Sequence, residues 1–140
     1  MRGKRMNRLS ISGRLFCRRG KGIGVERLWR ATINSWHGLI AVTQSEMAFR
    51  QELALLVVGV PLAFIVTDNV DERFALIGVL FFLLVVELLN TAIEKLSDRV
   101  TREPDPAIKR IKDMSSAAVG LSLIAAGAVW LWIAAEKFWR

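Results

Sequence analysis

The chain carries one cysteine, Cys17, and one histidine, His37, in 140 residues. A lone thiol forms no intrachain disulfide and no CxxC metal or redox site, and Cys17, in a basic, glycine-containing segment, does not read as a catalytic nucleophile. One histidine leaves no arguable serine–histidine–acid arrangement; His37 sits in an amphipathic stretch and reads as a residue at the level of lipid headgroups. No GxxxxGK[ST] segment is present, and the run Gly20-Lys21-Gly22-Ile23-Gly24 lacks the flanking strand that would make it a phosphate loop. The HRD and DFG segments of protein kinases are missing as well. There is no internal repeat and no low-complexity tract. The beginning of the chain is basic, but no apolar core follows before Val25, so no cleaved signal peptide is expected.

What is abundant is apolar: 53% of residues are hydrophobic, beside a net charge of +7. In a one-domain length, that mixture is the mark of apolar and charged residues segregated along the chain, as in an integral membrane protein. Excess positive charge suits nucleic acid or an anionic membrane surface. Its placement favours the membrane. Eleven lysines and arginines stand at or before Arg50 and six more from Lys95 to Lys112, whereas residues 67–73 hold Asp68, Asp71 and Glu72 against one arginine. The positive-inside rule then puts the N-terminus and the second connector in the cytoplasm, and the acidic connector and the C-terminus outside. No nucleic-acid partner is expected.

Residues 1–24 read as a basic, flexible cytoplasmic tail and 25–140 as a membrane domain. Over residues 26–45, Trp29, Ile33, Trp36 and Ile40 recur at three- and four-residue steps, with Arg27, Arg30, Asn34 and Gln44 on other faces. This is an amphipathic helix of the kind that lies in the headgroup layer. The apolar run 53–66 is short of the ~20 residues a span needs, so the first span is placed at about 47–66, with Arg50 and Glu52 in its first turns. The second is placed at about 74–96 and the third at about 114–135, where Trp130 and Trp132 read as interface anchors. The fold class is all-α: a surface helix and three transmembrane helices.

Within the second span, Glu87, Asn90, Glu94 and Asp98 stand at i, i+3, i+7 and i+11. They fall on one helical face. A carboxylate inside a span costs ~2.5–3.5 kcal/mol if it faces lipid, so it turns toward protein or water. Three readings stay open: an active site in which Glu87 is a general base, interhelical hydrogen-bonding glue, or a proton or ion path. Glu46, Arg50, Glu52, Lys112 and Asp113 lie at the same cytoplasmic level. Magnesium keeps one or two protein carboxylates beside water and phosphate oxygens, which Glu46 and Glu94 could supply, with a lysine nearby to neutralise a transferring phosphoryl group.

Three segments carry a resemblance. They are E-M-A-F-R-Q-E from Glu46 to Glu52, V-E-L-L-N-T-A-I-E from Val86 to Glu94 with Asp98-Arg99 beyond it, and K-D-M-S-S-A-A from Lys112 to Ala118. Together the chain from about Gly24 onward resembles the bacterial diacylglycerol kinases. The resemblance implies a homotrimer in the bacterial inner membrane, with active sites shared between subunits, that uses ATP and magnesium to convert diacylglycerol to phosphatidate. It implies Glu87 as the base, Glu46 and Glu94 as metal ligands that also meet the nucleotide, and Arg27, Glu103, Asp105, Lys112 and Asp113 as nucleotide contacts. Arg50, Glu52, Asn90 and Ser116, with Glu87, would shape the lipid and phosphoryl-transfer pocket. Two positions depart from the pattern: Asn34, a nucleotide-contact position, replaces a tyrosine of better-known members, and Pro104 replaces an aromatic residue. A kinase for a polyprenol such as undecaprenol is the sister activity. A non-enzymatic membrane subunit or proton pathway is the alternative from another class.

Overall fold

A computed structural model describes residues 24–139. The basic tail, Cys17 and the glycine run up to Ile23 lie outside them. The described residues form four helices and no strand: α1 (Gly24–Ser45), α2 (Met47–Val66), α3 (Val70–Val100) and α4 (Pro106–Trp139). Two compact units divide the chain within α1, one ending at Asn34 and the other starting at Ser35. In the first unit, residues 24–34 are exposed helix, with an Arg30–Glu26 ion pair of 2.7 Å one turn apart.

In the second unit, α2, α3 and α4 are each long and apolar enough to cross a membrane, which makes this a membrane protein of three spanning helices. α3 is central, packing on both α2 and α4. One core cluster gathers Val42, Phe49, Leu56, Leu80 and Leu84; a second gathers Ala63, Leu76 and Ile133. Trp130 packs against both clusters, and its indole N–H donates to the Leu76 carbonyl at 3.2 Å. It is therefore an interhelical packing residue; Trp132 is 74% exposed.

Local chemistry sets the ends. α1 stops at Ser45 because Glu46 is extended (φ −114°, ψ 122°), and α2 restarts at once from Met47. Between α2 and α3, the Asn69 side chain caps the amides of Asp71 and Glu72, and those acids suit the positive end of the helix dipole. Arg73 braces the same turn, donating to the Thr67 carbonyl at 2.9 Å. α4 begins with Pro106 behind an Asp105 cap that accepts from the amides of Ala107 (2.7 Å) and Ile108 (3.0 Å). Proline at the first helical position and aspartate before it form a strong start signal. Both α3 and α4 consequently run well past the apolar stretches at their centres.

Candidate active site

The polar face of α3 is turned into the protein. Glu87 is 4% exposed and Asn90 9%, with Thr91 and Ser97 of the same helix also buried. A carboxylate so placed avoids the cost of facing hydrocarbon. Asn90 stands between the two acids of its helix, three residues beyond Glu87, and its amide nitrogen donates to Glu94 at 3.4 Å.

Other elements bring further carboxylates. Glu52, from the second turn of α2, interacts electrostatically with Glu87, as do Glu94 and Glu46. Four acids from three places in the chain thus share one electrostatic neighbourhood. Two of its oxygens, Glu52 Oε2 and Asn90 Oδ1, are buried without a hydrogen-bond partner. Buried acceptors are normally satisfied, so this pair marks a place that can take a donor or a cation.

Glu46 stands in the break between α1 and α2. Its Oε1 accepts from the Lys95 ammonium at 2.8 Å and from the Ser45 hydroxyl at 3.0 Å. The hydrogen bond from Lys95, helped by that from Ser45, holds its carboxyl below the usual carboxylate range. Lys95 also donates to Ser45 Oγ at 3.0 Å. Further along, Lys112 of α4 pairs with Asp98 of α3, and Lys109 with Asp113 at 2.6 Å.

The remaining predicted site residues lie differently. Arg27 and Asn34 belong to the first unit, where both are exposed. Arg50 is exposed, with only a 3.4 Å contact to Met47 Sδ. Glu103 is exposed, and the Asp105 carboxylate is occupied in capping α4. Ser116 faces outward, while its neighbour Ser115 is buried and donates to the Lys112 carbonyl at 3.0 Å. Lys95 does not stand out in the sequence because its partners, Ser45 and Glu46, lie about fifty positions away.

Beside the carboxylates runs an apolar groove of about 550 Å³. Its lining includes Leu53 and Leu88, the residues following Glu52 and Glu87, together with Trp36, Phe49, Phe81 and Leu84, while Thr43 and Gln44 supply polar atoms. An apolar trough of this size accommodates the greasy body of an amphiphilic molecule.

A model of the prokaryotic diacylglycerol kinase family matches residues 33–134. The diacylglycerol kinase of Pseudomonas aeruginosa is 42% identical over 107 residues, covering 76% of this chain and 87% of that protein. That of Escherichia coli K12 is 38% identical over 107 residues, covering 76% and 88%, and that of Haemophilus influenzae 34% over 110 residues, covering 79% and 93%. The chain belongs to the prokaryotic diacylglycerol kinase family. It is accordingly a kinase, a transferase of lipid metabolism built on three membrane-spanning helices. The part matched to this kinase family takes in Glu46, Glu52, Glu87, Asn90, Glu94, Lys112 and Asp113, and leaves Arg27 outside.

Proposed function

We propose that the protein transfers the terminal phosphoryl group of ATP to the free hydroxyl of diacylglycerol, yielding phosphatidate, with residues 25–140 as the catalytic membrane domain. The observation that carries this reading is the inward-turned ladder Glu87–Asn90–Glu94, beside an apolar groove and within a chain whose relatives are diacylglycerol kinases. Glu87 takes the hydroxyl proton as the alcohol oxygen attacks the terminal phosphorus. The new O–P bond forms, the P–O bond to the nucleoside diphosphate breaks, and the negative charge departs with the diphosphate. Lys112 offers an ammonium to that charge, and Asn90 holds the Glu87 carboxylate in line. Phosphoryl transfer asks mainly for such positioning and charge neutralisation.

Magnesium fits the donor set, since Glu46 and Glu94 present hard carboxylate oxygens and orphaned oxygens of Glu52 and Asn90 lie in the same neighbourhood. Among the described residues no cage of three or more acidic, histidine or cysteine ligands exists, and a cation held partly by phosphate and water needs none. Bound magnesium would supply charge neutralisation on the phosphate oxygens. The distribution of basic residues supports the cytoplasmic face of the inner membrane as the working side, with the N-terminus inside and the C-terminus outside. A homotrimer with shared active sites is the assembly we assign, in which Arg27, Asn34, Glu103, Asp105 and Asp113 contact nucleotide and Arg50 and Ser116 line the lipid pocket.

The test is transfer of label from γ-labelled ATP to short-chain diacylglycerol by the purified protein in detergent, with and without magnesium. Magnesium-dependent labelled phosphatidate is expected. Label appearing only on undecaprenol in a parallel incubation would redirect the acceptor assignment, and no labelled lipid under any condition would end the reading.

A further inference from the structure

Three lysines stand close to the carboxylates, and each is paired with one acid. Lys112 is tied to Asp98 and Lys109 to Asp113, residues outside the proposed metal pair. Lys95 alone is seated on a carboxylate assigned to the metal, its Nζ 2.8 Å from Glu46 Oε1. The contact is closed on itself: the same ammonium donates to Ser45 Oγ, and Ser45 Oγ donates to the same Glu46 oxygen, both at 3.0 Å.

That oxygen is already claimed. A magnesium ion takes its ligands at about 2.0–2.1 Å; Oε1 accepts two hydrogen bonds, one from a full positive charge, and a metal held through either oxygen of this carboxylate sits close to that ammonium. Two cations on one carboxylate repel. The lysine is able to leave, because its side chain is 54% exposed and an ammonium on a flexible stem re-pairs easily. We propose that Lys95 is the resident counter-cation of Glu46 and competes with the divalent metal for that carboxylate, so that it raises the metal concentration the enzyme requires. This rests on the assignment of Glu46 as a metal ligand made above. It adds a residue that a search for acidic ligands would pass over.

The effect has a bounded size. An exposed lysine–carboxylate pair resists separation by up to about fivefold in equilibrium terms, and the competing metal carries that factor in its apparent dissociation constant. The experiment titrates Mn²⁺ into the full chain in detergent micelles with a non-hydrolysable ATP analogue, reading bound metal from loss of the free-ion EPR signal. Lys95→Met and Lys95→Gln, two variants lacking the charge, are expected to bind Mn²⁺ about two- to fivefold more tightly, while Lys95→Arg stays near the parent. Unchanged or weaker binding in the neutral variants makes Lys95 a strut and overturns the proposal, as does equal tightening in Lys95→Arg. Glu46→Gln separates the two levels. If it loses Mn²⁺ while the neutral lysine variants match the parent, only the Lys95 inference fails; if it binds Mn²⁺ as the parent does, the metal assignment fails and takes this inference with it.

Discussion

Replacing Glu87 with glutamine separates chemistry from architecture. At a position 4% exposed, the amide keeps the volume and one acceptor oxygen, so no cavity opens. The electrostatic change is favourable to folding. Glu87 and Glu94 are seven residues apart, ~10 Å along the helix axis, and two unit charges at that separation repel by ~1.7 kcal/mol at an effective dielectric of 20. Glu52 and Glu46 act on Glu87 in the same sense. Against this stands the loss of one acceptor oxygen on the buried face, worth about 1 kcal/mol. The two nearly cancel, and stability should stay within about 1 kcal/mol of the parent. Activity should not. A positioned general base contributes about 10²–10⁴-fold, so kcat is expected to fall by about that factor, equivalent to ~3–5 kcal/mol of barrier, with KM for the nucleotide little changed. Labelled-ATP transfer and thermal unfolding in the same detergent provide both readings. A kcat within tenfold of the parent would hand the proton to another group. Joint loss of activity and several kcal/mol of stability would make Glu87 interhelical glue.

Asp105 tests a residue with two candidate roles: asparagine caps as well as aspartate, so Asp105→Asn should leave stability unchanged, whereas Asp105→Ala should cost about 1 kcal/mol. A raised nucleotide KM in the asparagine variant would reveal a direct contact, and an unchanged KM would confine Asp105 to capping. At Gly59 an added Cβ would run into Leu80 and sit 3.5 Å from Trp130 Cζ2, so Gly59→Val should lower stability by about 1–3 kcal/mol through overpacking of α2 on α3. Activity per folded molecule should persist; unaltered thermal stability would refute the packing. For Glu46, the depressed carboxyl pKa makes a stabilising contribution that is complete above the ordinary carboxylate value and is lost as pH falls through the depressed one. Unfolding followed from about pH 6 down to about pH 3 should therefore show a steeper acid-side loss in the parent than in Lys95→Met. Equal slopes would remove the Lys95–Glu46 pair from the folded state.

The three spans are legible in the sequence because charge-poor apolar runs of that length match the thickness of a bilayer core and little else in protein architecture. The inward orientation of Glu87 is legible from the same cost of exposing charge to hydrocarbon, applied to one residue. Other features depend on partners distant in sequence. The reach of α4 back to Pro106 rests on the Asp105 cap, which hydropathy does not register. The packing role of Trp130 is not legible because α4 is apolar on all sides in its central turns, so periodicity cannot say which face meets α3; the indole hydrogen bond to Leu76 decides that in space. Ser115 and Ser116 differ by one position, or about 100° around the helix, and the buried one is not the one the resemblance pointed to. The Lys95 pair is hidden for the same reason: the helix face occupied by a lysine says nothing of a carboxylate fifty residues earlier.

Glue and active site make different demands on the same polar residues, and the buried oxygens weigh between them. Interhelical glue is stabilising only when each acceptor meets a donor, since an orphaned buried polar group costs about 1–3 kcal/mol. Here the Asn90 amide nitrogen donates to Glu94 while its own oxygen has no partner, and Glu52 Oε2 is in the same condition. These orphans sit among four carboxylates, and the nearby lysines are engaged with Glu46 and Asp98. The helices therefore concentrate carboxyl groups and unused acceptors at a place where internal hydrogen bonding and pairing are incomplete. Such an arrangement works against folding and in favour of whatever brings positive charge and donors to it. A metal-bound nucleotide and a hydroxyl would supply both, and the apolar groove lined by Leu53 and Leu88, the chain neighbours of Glu52 and Glu87, is open to an apolar body.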